Sequence, residues 1–161
     1  MSVETKDNDK KFRTLLKELK KIDAQPFVKT GFLKDEAHPD GESQNGGGLL
    51  VIASSQEFGT EHIPERPFMR ITADSIRGQV GKMIDDGYTR IINGSETVEK
   101  LLGKIGVFAV GKIQETITNL SDPPNDPKTI ERKGSSNPLI DTGFMRSSVR
   151  HEIVMNGKLK K

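Results

Sequence analysis

The 161-residue sequence predicts an α+β fold: a small antiparallel sheet packed on two long antiparallel helices, with an N-terminal amphipathic helix and two long loops. Three observations predict it. Two consecutive stretches, 72–92 and 95–119, keep apolar residues at helical spacing and are joined by a short break at Asn93-Gly94. Segments 26–33, 49–55 and 148–156 read as strands. Two polar stretches, 34–48 and 121–138, are punctuated by Gly and Pro.

Taken in order, residues 1–9 are polar and are expected to be disordered. From Lys10 to Ile22 the residues Phe12, Leu15, Leu16, Leu19 and Ile22 recur at i, i+3, i+4 and i+7, which places one apolar stripe on a short basic helix. Pro26 marks its end. Phe27 to Leu33 alternates like a strand. The segment 34–48 (KDEAHPDGESQNGGG) is acidic and ends in three glycines, the signature of a mobile arm. Leu49 to Ser54 is a short continuous apolar run, as in a strand covered on both faces. Thr72 is the expected N-cap of the first long helix, and Gly94 its stop. Ser95 is the expected cap of the second. Gly78, Gly81, Gly103, Gly106 and Gly111 each weaken these helices by about 1 kcal/mol relative to Ala. Either they admit a close neighbour or they loosen the pair. Residues 121–138 form a polar loop, 148–156 a final strand, and 157–161 a basic tail, so that 10–156 make one domain.

Composition narrows the function. Apolar residues make up 32% of the chain and charged residues 30%, so a core requires the apolar residues to be concentrated in a few segments. There is no Trp, and Tyr88 is the single Tyr, so a base-stacking platform for single-stranded nucleic acid is poorly supplied. The net charge of +2 is close to neutral, but its distribution is uneven. Lys10, Lys11, Arg13, Lys17, Lys20 and Lys21 cluster near the N-terminus and are candidate contacts for DNA or a partner subunit. The absence of Cys excludes disulfides and thiol chemistry. The sequence shows no signal-peptide pattern and no apolar run of membrane-spanning length, and the expectation is a soluble protein made in a cytoplasm, with no membrane partner.

Sites for chemistry are sparse. His38, His62 and His151 are far apart and lack metal-ligand spacing. Phosphate-cradling and nucleophile-elbow patterns are missing, and Ser54, Ser55, Ser147 and Ser148 have no recognisable partner base. A metal-dependent nuclease would need convergence among Glu57, Glu61, Asp85, Asp86, Asp122, Asp126 and Asp141. Asp85 and Asp86 are adjacent on a helix and diverge; Asp122 and Asp126 lie in a Pro-rich loop. No catalytic set, cofactor site or metal site is expected.

Two segments carry more information. In Gln56–Arg70 (QEFGTEHIPERPFMR), Gly59 breaks the chain after Phe58, and Pro64 and Pro67 hold an extended path. Arg66 and Arg70 are suited to satisfy backbone carbonyls or a carboxylate such as Glu57. In Pro138–Ser148 (PLIDTGFMRSS), Asp141 and Thr142 before Gly143 favour a side-chain-capped turn, with Arg146 a natural partner for Asp141 or Glu57.

The order EFG, then IPxRPFxR opening a helix, then LIDTGxxRxS before a final strand resembles the tail-completion and minor tail proteins of tailed bacteriophages, also described as head–tail joining, neck or virion-morphogenesis proteins. Glu57, Phe58, Gly59, Ile63, Pro64, Arg66, Pro67, Phe68, Arg70, Leu139, Ile140, Asp141, Thr142, Gly143, Arg146 and Ser148 carry the resemblance. It implies a non-enzymatic structural subunit, made in the host cytoplasm and built into the virion. There it would form a ring around the DNA channel, in contact with its own copies, the adjacent connector, and tail-tube or terminator proteins. The motif residues would then hold the fold and the subunit contacts. The acidic arm 34–48 and the basic N-terminal helix depart from that pattern. A DNA-binding module built on 10–21 and a nuclease using Glu57 or Asp141 are the alternatives.

Overall fold

A computed structural model gives the fold, and it describes residues 5–33 and 48–160. The expected arm 34–48 lies outside the described residues except for Gly48, as do the first four residues. The elements are α1 (Thr5–Asp23), β1 (Phe27–Gly31), α2 (Leu49–Phe58), α3 (Phe68–Ile92), α4 (Val98–Asn119), α5 (Pro127–Lys133), α6 (Phe144–Ser147), β2 (Arg150–Met155) and β3 (Lys158–Lys160). The architecture is α+β: a three-stranded antiparallel sheet of order β1-β2-β3 packs against α3 and α4, which contact each other. The two helices run antiparallel. The hydroxyls of Thr72 and Thr116 meet at 2.7 Å near one end, and Gly87 faces Leu101 near the other.

The residues group into two compact units. The first takes in the described parts of Met1–Lys29, Arg77–Phe108 and His151–Lys161. Its core joins Ile91, Val98, Leu101, Ile105 and Met155, with Ile22 and Val28 packed against them. Here the spacing of two glycines matters. A Cβ on Gly106 would lie 2.4 Å from His151 Cδ2, and one on Gly103 would lie 3.8 Å from Ile153 Cδ1. These two positions of α4 therefore receive β2. Gly78, Gly81 and Gly111 face nothing within 4 Å, whereas Gly87, which the sequence reading passed over, makes room for Leu101. The second unit takes in the described parts of Thr30–Ile76 and Ala109–Arg150. Its core is Leu49, Ala53, Phe68, Ile113, Ile117, Leu139, Met145 and Val149, with Phe32 edge-on to Phe68.

Several expectations need correction. Residues 49–55 are not a strand but the start of helix α2. Leu49, Ala53 and Glu57 are its buried residues, one every four positions, so the apolar run continues into a helical face that ends on a carboxylate. The third strand is instead β3, from the expected basic tail. It pairs with β2 through Met155↔Lys158, and Asn156 and Gly157 between them have φ of 52° and 69°. Asn-Gly with both residues left-handed is the two-residue hairpin turn whose twist matches the strands it joins. Residues 5–9 are helical rather than disordered, since α1 begins at Thr5. The 121–138 loop contains α5: Asp126 accepts from the Lys128 N–H at 2.9 Å, Pro127 opens the helix, and Gly134 closes it in the left-handed region. Thr72 is not an N-cap, because α3 begins four residues earlier; its buried hydroxyl bonds to the Phe68 carbonyl. Ser95 does not cap α4, which starts at Val98 behind Thr97, whose hydroxyl accepts from the Lys100 N–H.

Candidate functional site

Helix α3 opens at Phe68, so its N-cap position falls to Pro67, whose carbonyl accepts from Ile71 N. Proline has no side-chain oxygen with which to cap the orphan N–H groups of the first turn. Glu57, at the end of α2, supplies it. Its buried carboxylate accepts from Met69 N at 2.8 Å, Arg70 N at 3.2 Å and Arg70 Nε at 3.1 Å. A negative charge at a helix N-terminus also meets the favourable end of the helix dipole. Arg70 Nη2 donates to the Glu57 carbonyl and to the Glu65 carboxylate, and its guanidinium lies over the exposed Phe58 ring, 5.5 Å from the centroid. Gly59 turns the chain away from α2 with φ 72°, and a Cβ there would come within about 3 Å of the backbone of Glu65 and Ile63.

Arg66 is buried and bonded to neutral groups. Nε donates to the Pro123 carbonyl at 2.8 Å, Nη1 to Gln56 Oε1 at 2.8 Å, and Nη2 to the Pro124 carbonyl at 3.0 Å and Asn125 Oδ1 at 3.3 Å. Burial lowers its pKa from the ordinary arginine value, yet the planar fork stays charged and clasps the Pro123 and Pro124 carbonyls and the Asn125 side chain. In the second motif, Gly143 is left-handed at φ 81° ahead of α6, and Thr142 Oγ1 accepts from Phe144 N. Of the two residues expected to cap this turn, Asp141 and Thr142, it is Thr142 whose side chain accepts the backbone N–H. A further turn upstream was missed: Asn137 Oδ1 accepts from Leu139 N and Ile140 N, and its Nδ2 donates to the Thr118 carbonyl. The Asn-Pro dipeptide was the available signal. Arg146 pairs with neither Asp141 nor Glu57; its guanidinium reaches Thr118 Oγ1 at 3.4 Å.

The two motifs converge on one cleft of about 350 Å³ within the second unit. Ile63, Pro64 and Arg66 come to it from the first motif, and Leu139, Asp141 and Thr142 from the second. Lys133, which the sequence reading did not single out, sits on its wall and donates to the carbonyls of Asn137 and Pro138. Burial pushes the Lys133 ammonium below the usual lysine range, Asp141 pulls the other way, and Arg66 and Arg132 add to the depression.

The basic N-terminal cluster lies along α1. Lys10, Lys11, Arg13, Lys17 and Lys20 are exposed, with Arg13 paired to Asp9 at 3.0 Å, while Lys21 bonds to Glu18. Of the three histidines, His62 lines the cleft, His151 packs on Gly106, and His38 lies outside the described residues. Among the described residues no three His, Asp or Glu side chains group as a metal site would require. No helix among them is long and apolar enough to cross a membrane. Every buried side-chain nitrogen and oxygen among them has a hydrogen-bond partner. Comparison with known protein families, with curated proteins and with solved structures finds no match to this chain.

Proposed function

We propose that the chain is a structural subunit of the neck or tail end of a tailed bacteriophage, forming a ring that completes the tail or joins it to the head around the DNA channel. One observation supports the reading beyond the motif resemblance: Glu57, Arg66 and Thr142 of the two motifs are bonded to the chain's own backbone. Glu57 closes α3, Arg66 clasps 123–125, and Thr142 holds the turn into α6. Side chains committed in this way serve as a scaffold, which is the role the reading gives them. Ring neighbours, the connector, and tail-tube or terminator proteins are the partners this reading assigns.

Electron microscopy of lysates from a phage with a stop codon in this gene tests it. Full heads beside separate tails, or tails of uncontrolled length, are expected; intact infectious particles would overturn the proposal. Deleting 35–46 should leave the protein folded and block joining. A second reading, a DNA-binding module, is favoured by the exposed cations of α1. It requires duplex binding that falls steeply with salt, and no binding at low salt removes it.

A further inference from the structure

The cleft that the two motifs share gathers cations for which the chain supplies no counter-ion in contact. Arg66, Arg132 and Lys133 all line it, and none of them forms an ion pair among the described residues. Arg66 is only 2% exposed, and a charge buried to that degree without a counter-ion is costly. Its bonds to Pro123, Gln56, Pro124 and Asn125 all go to neutral oxygens, and they use four of the five guanidinium N–H groups, leaving one on Nη1. Lys133 is half-buried, and its bonds to the Asn137 and Pro138 carbonyls, at 3.4 Å and 3.3 Å, are long for an ammonium that has three N–H groups to place. Arg132, beside it on α5, is exposed, and its side chain makes no hydrogen bond among the described residues. Arg66 and Arg132 both act on Lys133 to hold its pKa down, so the three cations sit close enough to repel one another.

Two carboxylates line the same cleft and offset part of that charge. Asp126 is committed to the Lys128 N–H as the cap of α5, and Asp141 attracts Lys133 without reaching ion-pair contact. Three cations against two carboxylates leave one net positive charge, with His62 counted as neutral. A carboxylate balances that charge, whereas a phosphate, at close to two negative charges, overshoots it. The volume of about 350 Å³ falls within the range of ligand sites, about 300–1,000 Å³, and exceeds what a carboxylate alone would fill. The rest of the wall is apolar, with Leu49, Ile63, Pro138 and Phe144 placed to receive the stem and flanking chain of a larger ligand.

We propose that the cleft is a receptor for an acidic side chain presented by a segment of a partner protein, with the carboxylate held between Arg66, Arg132 and Lys133 and the flanking chain against the apolar wall. The planar forks of the two arginines suit a carboxylate's two oxygens, and the ligand would supply the counter-ion that buried Arg66 lacks. This inference rests on the reading of the chain as an assembly subunit, and it gives that subunit a specific place to receive a neighbour.

Titration of the isotope-labelled full chain, followed by NMR, tests the site with four probes: the peptide acetyl-Leu-Glu-Leu-amide, its Gln counterpart, acetate and inorganic phosphate. The Glu peptide should shift the amide signals of Asn125, Thr129 and Thr142 saturably, and the Gln peptide should bind about tenfold more weakly, as the loss of a charged hydrogen-bond partner predicts. Arg132→Gln, an exposed change that leaves the fold alone, should weaken the Glu peptide about tenfold, while Lys128→Gln, which removes the same charge from α5 outside the cleft, should not. Asp141→Asn should tighten binding severalfold, a gain that misfolding cannot produce. Equal binding of the Glu and Gln peptides, an equal loss in Lys128→Gln, or shifts confined to residues outside the cleft would overturn the site. Tighter binding of phosphate would overturn the carboxylate assignment, and acetate binding as tightly as the peptide would overturn the role of a protein segment. A chain that fails to bind the peptide but whose loss leaves heads and tails unjoined sinks the receptor alone. Peptide binding by a chain dispensable for particle assembly sinks the neck reading alone.

Discussion

Replacing Glu57 by Ala tests the central joint of the second unit. The carboxylate holds two backbone N–H groups of the first turn of α3 and one guanidinium N–H. Loss of an N-cap costs about 1 kcal/mol, and the second backbone donor left without its partner adds about 2 kcal/mol, for a total near 3 kcal/mol. Against a total stability of about 5–15 kcal/mol that is a large fraction. For a chain of this length it corresponds to a fall in Tm of about 6–12 °C. Urea titration followed by circular dichroism should show a lower midpoint at unchanged slope. Arg70→Met supplies the control, because the exposed guanidinium contributes little if capping is the main role of Glu57. A Glu57→Ala protein within about 0.5 kcal/mol of wild type, or an Arg70→Met protein equally destabilised, would refute the capping account.

Two further predictions concern the first unit. Gly106→Ala should destabilise it by about 1–3 kcal/mol, since the new methyl meets the His151 ring, while Gly103→Ala should be neutral or stabilising by up to about 1 kcal/mol through helix propensity; paired thermal melts read both. Glu18 and Glu96 predict the acid response. Burial pushes the Glu18 carboxyl up, but bonds from Lys21 and the Val98 N–H outweigh it; Lys104, then Arg90, depress Glu96 against a smaller burial effect. Both folded values lie below 4.5, so their stabilisation is complete above that pH and drains away as pH falls through the lower folded values. A Glu96→Gln protein should lose less stability than wild type between neutral pH and pH 3, and an unchanged pH profile would rule Glu96 out as a contributor.

Much of the helical framework could be read from the sequence because its signals are periodic. The stripes of α3 and α4 and the Gly94 stop lie in the residues themselves, and Gly94 is left-handed as a stop requires. What was misread turned on competing signals. LLVIAS reads as a strand by its β-branched content, and only the step from Ala53 to a buried Glu57 reveals a helix. The α5 caps were present as Asp126-Pro127 and Gly134, but four prolines in the neighbourhood outweighed them. Asn156-Gly157 is a strong hairpin signal set at the edge of a basic, polar tail that masks it. At the site, Arg66 and Arg70 were assigned the correct kind of partner, carbonyls and a carboxylate. Which carbonyls Arg66 would find depended on a chain path some 57 residues away, which no local pattern encodes.

The sheet order has a consequence for the timing of synthesis. β1 is laid down early, yet its neighbour β2 begins at Arg150, roughly 120 residues later. At about 5–20 residues per second, β1 waits about 6–24 s on the ribosome before its partner emerges. Glu57, by contrast, meets Met69 only 12 residues on, so the α2–α3 joint can close while the rest is still being made. The newborn chain therefore carries an unpaired strand beside an already ordered corner. Slowing translation after that corner would lengthen the interval in which Phe27 and Val28 can find a wrong strand, and yield of native protein should fall with translation speed rather than with temperature alone.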